Sequence, residues 1–351
     1  MPLLSLESVS LRHPVSGVPA VEGVSLTMEP GQVFALLGSS GSGKTTLLRL
    51  LAGLARPDAG SILLDGRVMA GPGAFMPPEE RSVGAAWGDV PATPQVPVQA
   101  HLMASLGARP PEDSLVRIRA LLELFNLSGL ESRPLGTLSR GQVRRVSLLQ
   151  SLLPGHRLLV WDEPFADMDF MLRAQVRGEL RRVLASRGSS LFFATHEQAD
   201  ALSFADRLAV LRSGTVAQTG TPEDVYARPR TAFVAYFLGG TNLLPGTGFG
   251  NGARTALGNL PLDREARGNV LLSLRPEALR LVPDTDKVAV GGALRAEVLS
   301  RAFQGGSVEF TVACSGQALL VRGAADLALR EGSRARLEVA GRAVVLEDSP
   351  E

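Results

Sequence analysis

The sequence predicts an α/β domain that is followed by a small all-β domain. Residues 32–37 form a short apolar run that indicates a buried strand, and residues 44–54 place leucines at helical spacing. Beyond residue 240, short apolar segments alternate with glycines, which is typical of a small β-barrel. The strand and the helix of the first domain are joined by a glycine-rich stretch, Gly38, Ser39, Ser40, Gly41, Ser42, Gly43, Lys44, Thr45 and Thr46.

The remaining segments of the first domain indicate a mixed sheet core with an antiparallel layer and a helical subdomain. Apolar residues recur with strand-like spacing over 3–9 and 21–28, which predicts the antiparallel layer. Leucine-rich segments at 115–127 and 144–153 predict helices within an insert that spans about residues 90–156. Later strands are predicted at 157–161, 190–194, 207–211 and 215–218, before a helix that begins near Thr221.

The composition is that of a globular protein that folds without disulfides. The chain has 351 residues, 45% of them hydrophobic, which is enough for two buried cores. Its 36 basic residues balance 35 acidic ones, so net charge gives no general attraction to nucleic acid or to an anionic membrane. Cys314 is the single cysteine, which excludes an internal disulfide and a multi-cysteine metal site.

Hydropathy predicts where the protein works. No apolar window is long enough to span a bilayer, and the first residues lack the basic region of a secretory signal. We therefore expect a soluble, cytoplasmic protein, and any role at a membrane must come through a partner.

The glycine-rich stretch matches the phosphate-binding pattern G-x-x-x-x-G-K-[ST]. Glycines allow several backbone N–H groups to converge on phosphate oxygens, Lys44 supplies a mobile cation, and the hydroxyl of Thr45 can ligate magnesium. The helix that begins here directs the positive end of its dipole toward the same anion. We therefore expect a nucleoside triphosphate and Mg²⁺ at this loop. The alternative is a glycine-rich turn without a ligand.

Polar residues follow two of the later predicted strands. Asp162 and Glu163 end one strand, and His196 follows the next. Such strand ends form the ligand-binding edge of a parallel sheet. Asp162 is placed to hold magnesium through water, and Glu163 is placed to polarise the water that attacks a phosphoryl group. The alternative is that these residues only solvate a loop.

A further motif precedes the acidic pair and consists of Leu138, Ser139, Arg140, Gly141 and Gln142. Ser139 is a candidate N-cap, so its hydroxyl and the following backbone N–H groups can address an anion. The alternative is a capped helix packed against the core. In this order, the phosphate loop, this motif, the acidic strand end and the histidine resemble the ATP-binding-cassette (ABC) ATPases, and the resemblance covers nearly the whole chain.

The resemblance implies a catalytic set. Glu163 corresponds to the catalytic base of these ATPases, and Lys44 to the lysine of their phosphate loop. His196 corresponds to a histidine that contacts the γ-phosphate of ATP and holds the site closed.

The resemblance also implies how ATP is bound. Ser139, Gly141 and Gln142 belong to the signature motif, which in this family contacts ATP held by a second copy, so hydrolysis needs a homodimer. His13 takes the position where the family places an aromatic residue against adenine, and an imidazole can stack there. The alternative for His13 is a surface histidine without a ligand.

The sequence departs from the family pattern at three positions. Gly88 falls where transporter ATPases carry a glutamine that organises magnesium and the attacking water, so we expect slowed or differently coupled hydrolysis. Arg140 replaces the first of the two signature glycines and adds a cation near the expected phosphate. Ala166 lacks the hydroxyl that is usual in the following turn.

The tail carries a second resemblance. Residues 237–246, 274–281 and 303–306 resemble the C-terminal TOBE-like β-barrel of bacterial importer ATPases, an OB-like fold. This implies an ATPase domain at 1–239 and a β-barrel domain at 240–351. Family members with this tail serve ferric iron, polyamines, sulfate, molybdate or sugars. A generic β-domain is the alternative.

Together these resemblances imply an ATP-hydrolysing, energy-coupling subunit of a bacterial ABC importer, an ATPase of the translocase type. Its implied partners are a second copy of the chain, transmembrane permease subunits at the inner face of the membrane and, indirectly, a substrate-binding protein, with no nucleic acid. One alternative is a weakly hydrolysing regulatory cassette, which Gly88 and Arg140 favour. The other is a nucleic-acid-associated cassette protein, which would carry zinc cysteines, coiled coils, a tandem cassette or basic tails.

Overall fold

The computed structural model describes residues 1–13, 17–87, 94–107, 110–283 and 294–348. The chain divides into two compact units, Met1–Pro222 and Glu223–Glu351. The strands of the first unit are β1 (Leu4–Arg12), β2 (Pro19–Met28), β3 (Val33–Gly38), β4 (Ala59–Leu64), β5 (Arg67–Gly71), β6 (Ala74–Phe75), β7 (Val83–Ala86), β8 (Leu158–Asp162), β9 (Ser190–Thr195), β10 (Arg207–Arg212) and β11 (Thr215–Gly220). Its helices are α1 (Lys44–Ala52), α2 (Val98–Ala104), α3 (Ser114–Leu124), α4 (Arg140–Leu152), α5 (Phe170–Arg187) and α6 (Gln198–Phe204), with 3-10 turns at Pro78–Glu80 and Leu135–Thr137.

An antiparallel sheet with strand order β2-β1-β4-β5-β6 forms one layer of the first unit. Along β2 the apolar residues Val21, Val24 and Leu26 are buried while the residues between them are mostly exposed. This alternation is what a sheet with one solvated face requires. The predicted antiparallel layer is confirmed.

The central sheet has strand order β11-β10-β3-β9-β8-β7 and is parallel except for β11. Strands β3 and β9 are buried along their whole length, as expected for a sheet covered on both faces. Phe34 of β3 stacks on Phe192 of β9, with ring centroids 5.1 Å apart. Because β3, β8 and β9 run in parallel, their carboxyl ends meet at one edge of the sheet.

The predicted helical subdomain contains α2, α3 and α4. The side chain of Arg145 ties α4 to the end of α3, since its Nη1 donates a hydrogen bond to the carbonyl oxygen of Phe125 at 3.0 Å. Within the described ranges, every helix is too short or too polar to cross a membrane.

The second unit is built from β-strands and two short helices. Its helices are α7 (Pro222–Ala227), which begins at the division, and α8 (Ala232–Phe237), with a 3-10 turn at Pro276–Ala278. Its strands are β12 (Asn242–Thr255), β13 (Gly258–Leu274), β14 (Leu279–Pro283), β15 (Leu294–Phe303), β16 (Ser307–Cys314), β17 (Gln317–Ala324), β18 (Arg334–Val339) and β19 (Val344–Val345). Two antiparallel sheets, β12-β13-β19 and β14-β18-β15-β16-β17, share one apolar core. The predicted all-β second domain is confirmed.

The long β12–β13 hairpin was not expected from the sequence, which predicted only short apolar strands beyond residue 240. Glycines interrupt the apolar pattern of β12 and hide the strand. One of them has a packing reason, because a Cβ at Gly248 would lie 2.6 Å from the carbonyl oxygen of Ala266 on β13. The close approach of the two backbones therefore requires glycine.

The compact units divide after Pro222, whereas the sequence placed the domain boundary between residues 239 and 240. Arg275 at the end of β13 gives the physical reason. Its guanidinium donates to the carbonyl oxygens of Tyr226 at 2.6 Å, Ala235 at 2.7 Å and Gly240 at 2.8 Å. These bonds fix α7 and α8 to the β-sheet unit rather than leaving them as the end of the first unit.

Candidate functional site

The phosphate loop connects β3 to α1, as the sequence predicts. Nζ of Lys44 donates to the carbonyl oxygens of Gly38 at 2.8 Å and Ser39 at 3.1 Å, so the lysine lies inside the loop. Burial lowers the pKa of Lys44, against the nearby carboxylates of Glu163 and Asp162, which raise it. The loop thus holds a partly desolvated cation that a phosphate oxygen can satisfy.

Two residues of the loop show why it is built from small side chains. Gly43 has φ +103°, and a Cβ there would lie 2.2 Å from the carbonyl oxygen of Ala20 on β2. Oγ of Ser42 is buried and has no hydrogen-bond partner among the described residues. An orphaned hydroxyl within a tight backbone loop fits a site that is completed by a ligand's oxygen atoms.

Thr45 and Asp162 meet at the carboxyl edge of the central sheet. The hydroxyl of Thr45 donates to Oδ2 of Asp162 at 2.8 Å, which joins α1 to the end of β8. Burial raises the pKa of Asp162, and the hydrogen bond from Thr45 partly opposes that rise. A hydroxyl and a carboxylate oxygen are ligands that Mg²⁺ accepts, and Mg²⁺ is commonly held by one or two carboxylates together with substrate phosphates. The pair therefore fits the predicted magnesium site.

Glu163 and His196 form a second pair beside the first. Glu163 adopts a left-handed backbone conformation with φ +50°, and its N–H donates to the carbonyl oxygen of Ala194 at 2.9 Å. Its Oε1 lies 2.8 Å from Nδ1 of His196, which follows β9. The strained conformation and the histidine together fix the direction of the carboxylate.

The predicted signature motif forms the start of α4. Ser139 is the N-cap and accepts a hydrogen bond from the N–H of Gln142 at 3.3 Å, while the Gln142 side chain accepts from the N–H of Ser139 at 2.9 Å. This is a complete capping box. Gly141 packs closely against the following turn, since a Cβ there would lie 3.2 Å from Cβ of Asp167.

A pocket of 340 Å³ opens beside the phosphate loop. We call it the arginine pocket, and it is lined by Thr45, Arg49, Leu54, Trp87, Arg140, Arg144 and Asp162. Among the residues that the structure describes, Ser139, Gly141 and Gln142 are not in this lining. The contacts described above bring together five predicted residues within one chain, namely Lys44, Thr45, Asp162, Glu163 and His196. Among the described residues of the signature motif, Arg140 lines the pocket.

His13 follows β1 and is exposed. Its N–H donates to the carbonyl oxygen of Val18 at 2.8 Å, within the hairpin of β1 and β2. That hairpin also places Ala20 against Gly43 of the phosphate loop. The prediction for Gly88 falls outside the described residues. Ala166 lies in the turn after β8, where its N–H donates to the carbonyl oxygen of Glu163 at 3.2 Å.

Arg49 and Arg144 were not singled out from the sequence as parts of the site. Arg144 lies four residues after Arg140, which places both on one face of α4, and Arg49 lies four residues after Thr45 on α1. Each lies four residues from a residue that the sequence already identified, and this helical spacing is the signal from which both could have been predicted. Arg144 also pairs with Asp167, with Nη1 and Oδ2 3.2 Å apart.

Two family descriptions match the sequence. The ABC transporter family matches residues 21–166, and the TOBE domain matches residues 272–346. Over 353 aligned residues, the chain is 38% identical to the Fe(3+) ions import ATP-binding protein FbpC of Pseudomonas fluorescens, with 99% of each chain covered. It is 36% identical to a spermidine/putrescine import ATP-binding protein, PotA 1, of Pseudomonas aeruginosa, with 88% of this chain and 85% of that protein covered.

Solved structures share the fold. The cbiO1 protein of Clostridium perfringens, described as part of the ABC transporter complex cbiONQ, matches with a TM-score of 0.56 and 25% identity over 64% of this chain and 91% of that chain. An ATP-binding cassette of an ABC transporter in its ADP conformation matches with a TM-score of 0.56 over 67% of this chain and 98% of that chain. At 21% identity, the second likeness concerns the fold alone.

Proposed function

Since this chain belongs to the ABC transporter family of import ATP-binding proteins, we propose that it is the energy-coupling subunit of an importer and hydrolyses ATP at the site of Lys44, Asp162 and Glu163. The observation that carries the proposal is the convergence of three elements at one sheet edge. The Thr45 to Asp162 hydrogen bond joins α1 to β8, and the Glu163 to His196 contact joins β8 to the end of β9.

The phosphate loop binds the triphosphate. Its backbone N–H groups and the dipole of α1 face the anion, and Lys44 exchanges its two carbonyl acceptors for phosphate oxygens. The residues proposed to bind the triphosphate are 38–46, which run from the end of β3 through the loop into the first turn of α1. Thr45 and Asp162 would hold Mg²⁺, which would neutralise negative charge on the phosphates of the nucleotide. His13 lies on the hairpin beside the loop and is the candidate for contact with adenine.

Glu163 acts on the attacking water. Its carboxylate accepts a proton from water as the oxygen attacks the γ-phosphorus, and the bond from that phosphorus to the bridging oxygen breaks, so that ADP leaves. The contact with His196 holds the carboxylate in place. A general base of this kind contributes about 10²- to 10⁴-fold to a rate. His196 is half-exposed, so it can also contact a phosphate oxygen at the open face of the site.

Two copies of the chain form the working unit. Ser139 is exposed at the start of α4 together with the partly exposed Gly141 and Gln142, and none of the three lines the pocket of its own chain in the described part of the structure. A capped helix start that faces solvent suits contact with ATP on a second copy. The homodimer works beneath transmembrane permease subunits at the inner face of the membrane, and a substrate-binding protein delivers the solute to those subunits.

The solute is proposed from the relatives. Relatives that match this chain over most of their length carry names for Fe(3+) import and for spermidine and putrescine import. Ferric iron and a polyamine are therefore the first candidates. Uptake of radiolabelled iron and spermidine by cells that lack this chain distinguishes them, and unchanged uptake of both would leave sulfate and related solutes.

Phosphate release by the purified chain tests the ATPase proposal. Glu163→Gln should lower the rate by about 10²-fold or more and leave MgADP binding intact, because the change removes the base and keeps the shape. Lys44→Ala should weaken nucleotide binding itself. A measurable rate that Glu163→Gln leaves unchanged would contradict the assignment of the base. No measurable phosphate release by the wild type, although MgATP is bound, would instead favour the regulatory cassette.

A pull-down tests the partners. A tagged chain should co-purify from the membrane fraction with permease subunits, and it should elute as a dimer when Glu163→Gln is saturated with MgATP. A chain that stays monomeric with MgATP and leaves no trace in the membrane fraction would contradict the importer role.

A further inference from the structure

The arginine pocket has a charge distribution that the roles assigned so far do not explain. Arg49, Arg140 and Arg144 are three basic residues of its lining, and Asp162 is the acidic residue in the same lining. Asp167 is paired with Arg144 at 3.2 Å. Among the described residues, no carboxylate pairs with Arg49 or Arg140. The pocket therefore has an excess of positive charge next to the phosphate loop.

Arg144 is a partly buried arginine in the lining of the pocket. Its side chain is 15% exposed, and its Nη1 uses Asp167. Its Nε is buried and has no hydrogen-bond partner among the described residues. A buried donor without an acceptor is costly, so Arg144 is only partly satisfied by its pairing with Asp167.

The neighbouring arginine on the same helix behaves differently. Nε of Arg145 donates to the carbonyl oxygen of Gly141 at 3.2 Å, and its Nη1 donates to that of Phe125 at 3.0 Å. Arg145 thus serves the packing of α4. Among the described residues, Arg140 and Arg144 line the pocket and Arg145 does not.

We propose that the arginine pocket binds a phosphate oxyanion within one chain, with Arg49, Arg140 and Arg144 as its ligands. Guanidinium groups match the tetrahedral oxygens of phosphate with paired, charge-assisted hydrogen bonds. The pocket shares Thr45 and Asp162 with the proposed hydrolysis site, so the nearest source of such an anion is the terminal phosphate of ATP, either still attached or released by hydrolysis. The assignment of the source rests on the proposed function.

Arg140 gains a role within its own chain under this proposal. At the position of a signature glycine, an arginine departs from the family pattern. In the structure it lines the pocket of its own chain beside Thr45. It therefore adds a positive group to the chain's own phosphate region.

Titration calorimetry with the full-length chain tests the proposal. Potassium phosphate is titrated at constant ionic strength into protein alone and into protein saturated with MgADP, and the affinities for MgADP and for a non-hydrolysable ATP analogue are measured in parallel. Arg140→Gln and Arg144→Gln remove one ligand each. Arg182→Gln is the matched control, because Arg182 is 77% exposed and pairs only with Glu179 among the described residues.

We expect Arg140→Gln and Arg144→Gln each to weaken one of two affinities, that for inorganic phosphate or that for the ATP analogue. The expected loss is about 10-fold, the effect of one lost charge-assisted hydrogen bond. Weaker inorganic phosphate binding in the presence of MgADP identifies released phosphate. A loss confined to the ATP analogue, relative to MgADP, identifies the attached terminal phosphate. Arg140→Lys should recover part of either loss.

The proposal is overturned if neither affinity changes in Arg140→Gln and in Arg144→Gln, while MgADP binding shows that both variants are folded. The failure of the proposed function looks different, because MgADP would then fail to bind to the wild-type chain. In that case the titration of phosphate into nucleotide-free protein still decides whether the three arginines hold an anion.

Discussion

Arg81 is the residue whose replacement should most weaken the first unit without touching the nucleotide. Its side chain is buried, and its guanidinium donates to four carbonyl oxygens. Nη1 reaches Leu50 at 2.6 Å and Leu51 at 2.8 Å, Nε reaches Met76 at 2.7 Å, and Nη2 reaches Met69 at 3.3 Å. Two of these carbonyls belong to the last turn of α1, so Arg81 caps the helix that begins at the phosphate loop.

The cost of Arg81→Met follows from which carbonyls keep a partner. That of Leu50 still accepts from the N–H of Gly53, and that of Met69 still accepts from the N–H of Met76. The carbonyls of Leu51 and Met76 lose their donor, at about 1–3 kcal/mol each. Because the variant no longer buries a charge, part of this cost is offset, and we expect a loss of about 3 kcal/mol in the free energy of unfolding.

Urea unfolding followed by tryptophan fluorescence measures this loss. Both tryptophans of the chain, Trp87 and Trp161, lie in the first unit, so the signal reports that unit alone. Arg67→Met is the matched control, because Arg67 is exposed on β5, and such surface changes usually stay within about 0.5 kcal/mol. A loss below about 1 kcal/mol for Arg81→Met, or one equal to that of the control, would refute the assignment.

The pH dependence gives an independent check. Burial lowers the pKa of Arg81 to about 10, so the cost of burying the charge is fully present below about pH 10 and disappears as the pH rises toward the ordinary pKa of an arginine. The difference between wild type and Arg81→Met should therefore be constant between about pH 6 and pH 9. A difference that changes within this range would mean that another group titrates with Arg81.

Three further predictions concern the loop, the cysteine and the domain boundary. Gly43→Ala should weaken MgADP binding more than 10-fold in titration calorimetry, since its Cβ would lie 2.2 Å from a backbone oxygen. The control is Gly178→Ala in α5, whose Cβ meets nothing within 4 Å. It should leave MgADP binding unchanged and the free energy of unfolding equal or higher. Cys314 should react with iodoacetamide at pH 8 more slowly than a free thiol, because burial raises its pKa, and the rate should rise when the second unit unfolds in urea. The fragment 223–351 should show cooperative unfolding by circular dichroism and 240–351 should not, because Arg275 bonds to carbonyls of α7 and α8; equal cooperativity of the two fragments would contradict this.

The sequence predicts best those features whose physical cause lies in a local pattern of residues. The order of glycines and Lys44 in the phosphate loop requires a strand before it and a helix after it, and the structure has both. Asp162 follows a run of apolar residues whose burial identifies the strand end. Such features depend on neighbours in the chain, so one sequence is enough to find them.

Features that depend on distant neighbours were not predicted. The pairing of β12 with β13 is hidden by glycines that only the opposite backbone explains, as at Gly248. Arg81 has no local motif, and its role appears only when the end of α1 and residues 69–76 come together around it. The same holds for Arg275, whose partners in α7 and α8 move the boundary of the second unit to Glu223.

The arginine pocket and the Arg81 cap are connected through α1 and β7 of the first unit. Arg81 holds the last turn of α1, whose first turn carries Lys44 and Thr45. Two residues after Arg81, β7 begins and pairs with β8, which ends at Asp162, and Trp87 directly after β7 lines the pocket. If α1 shifts when phosphate binds, β7 and Trp87 must therefore either hold α1 in place or move with it.

Tryptophan fluorescence tests this connection. Since Trp87 and Trp161 are the only tryptophans of the chain, phosphate binding at the arginine pocket should change the tryptophan fluorescence of the wild type, and the change should be lost in Arg140→Gln. An equal fluorescence change in both proteins would place the anion elsewhere.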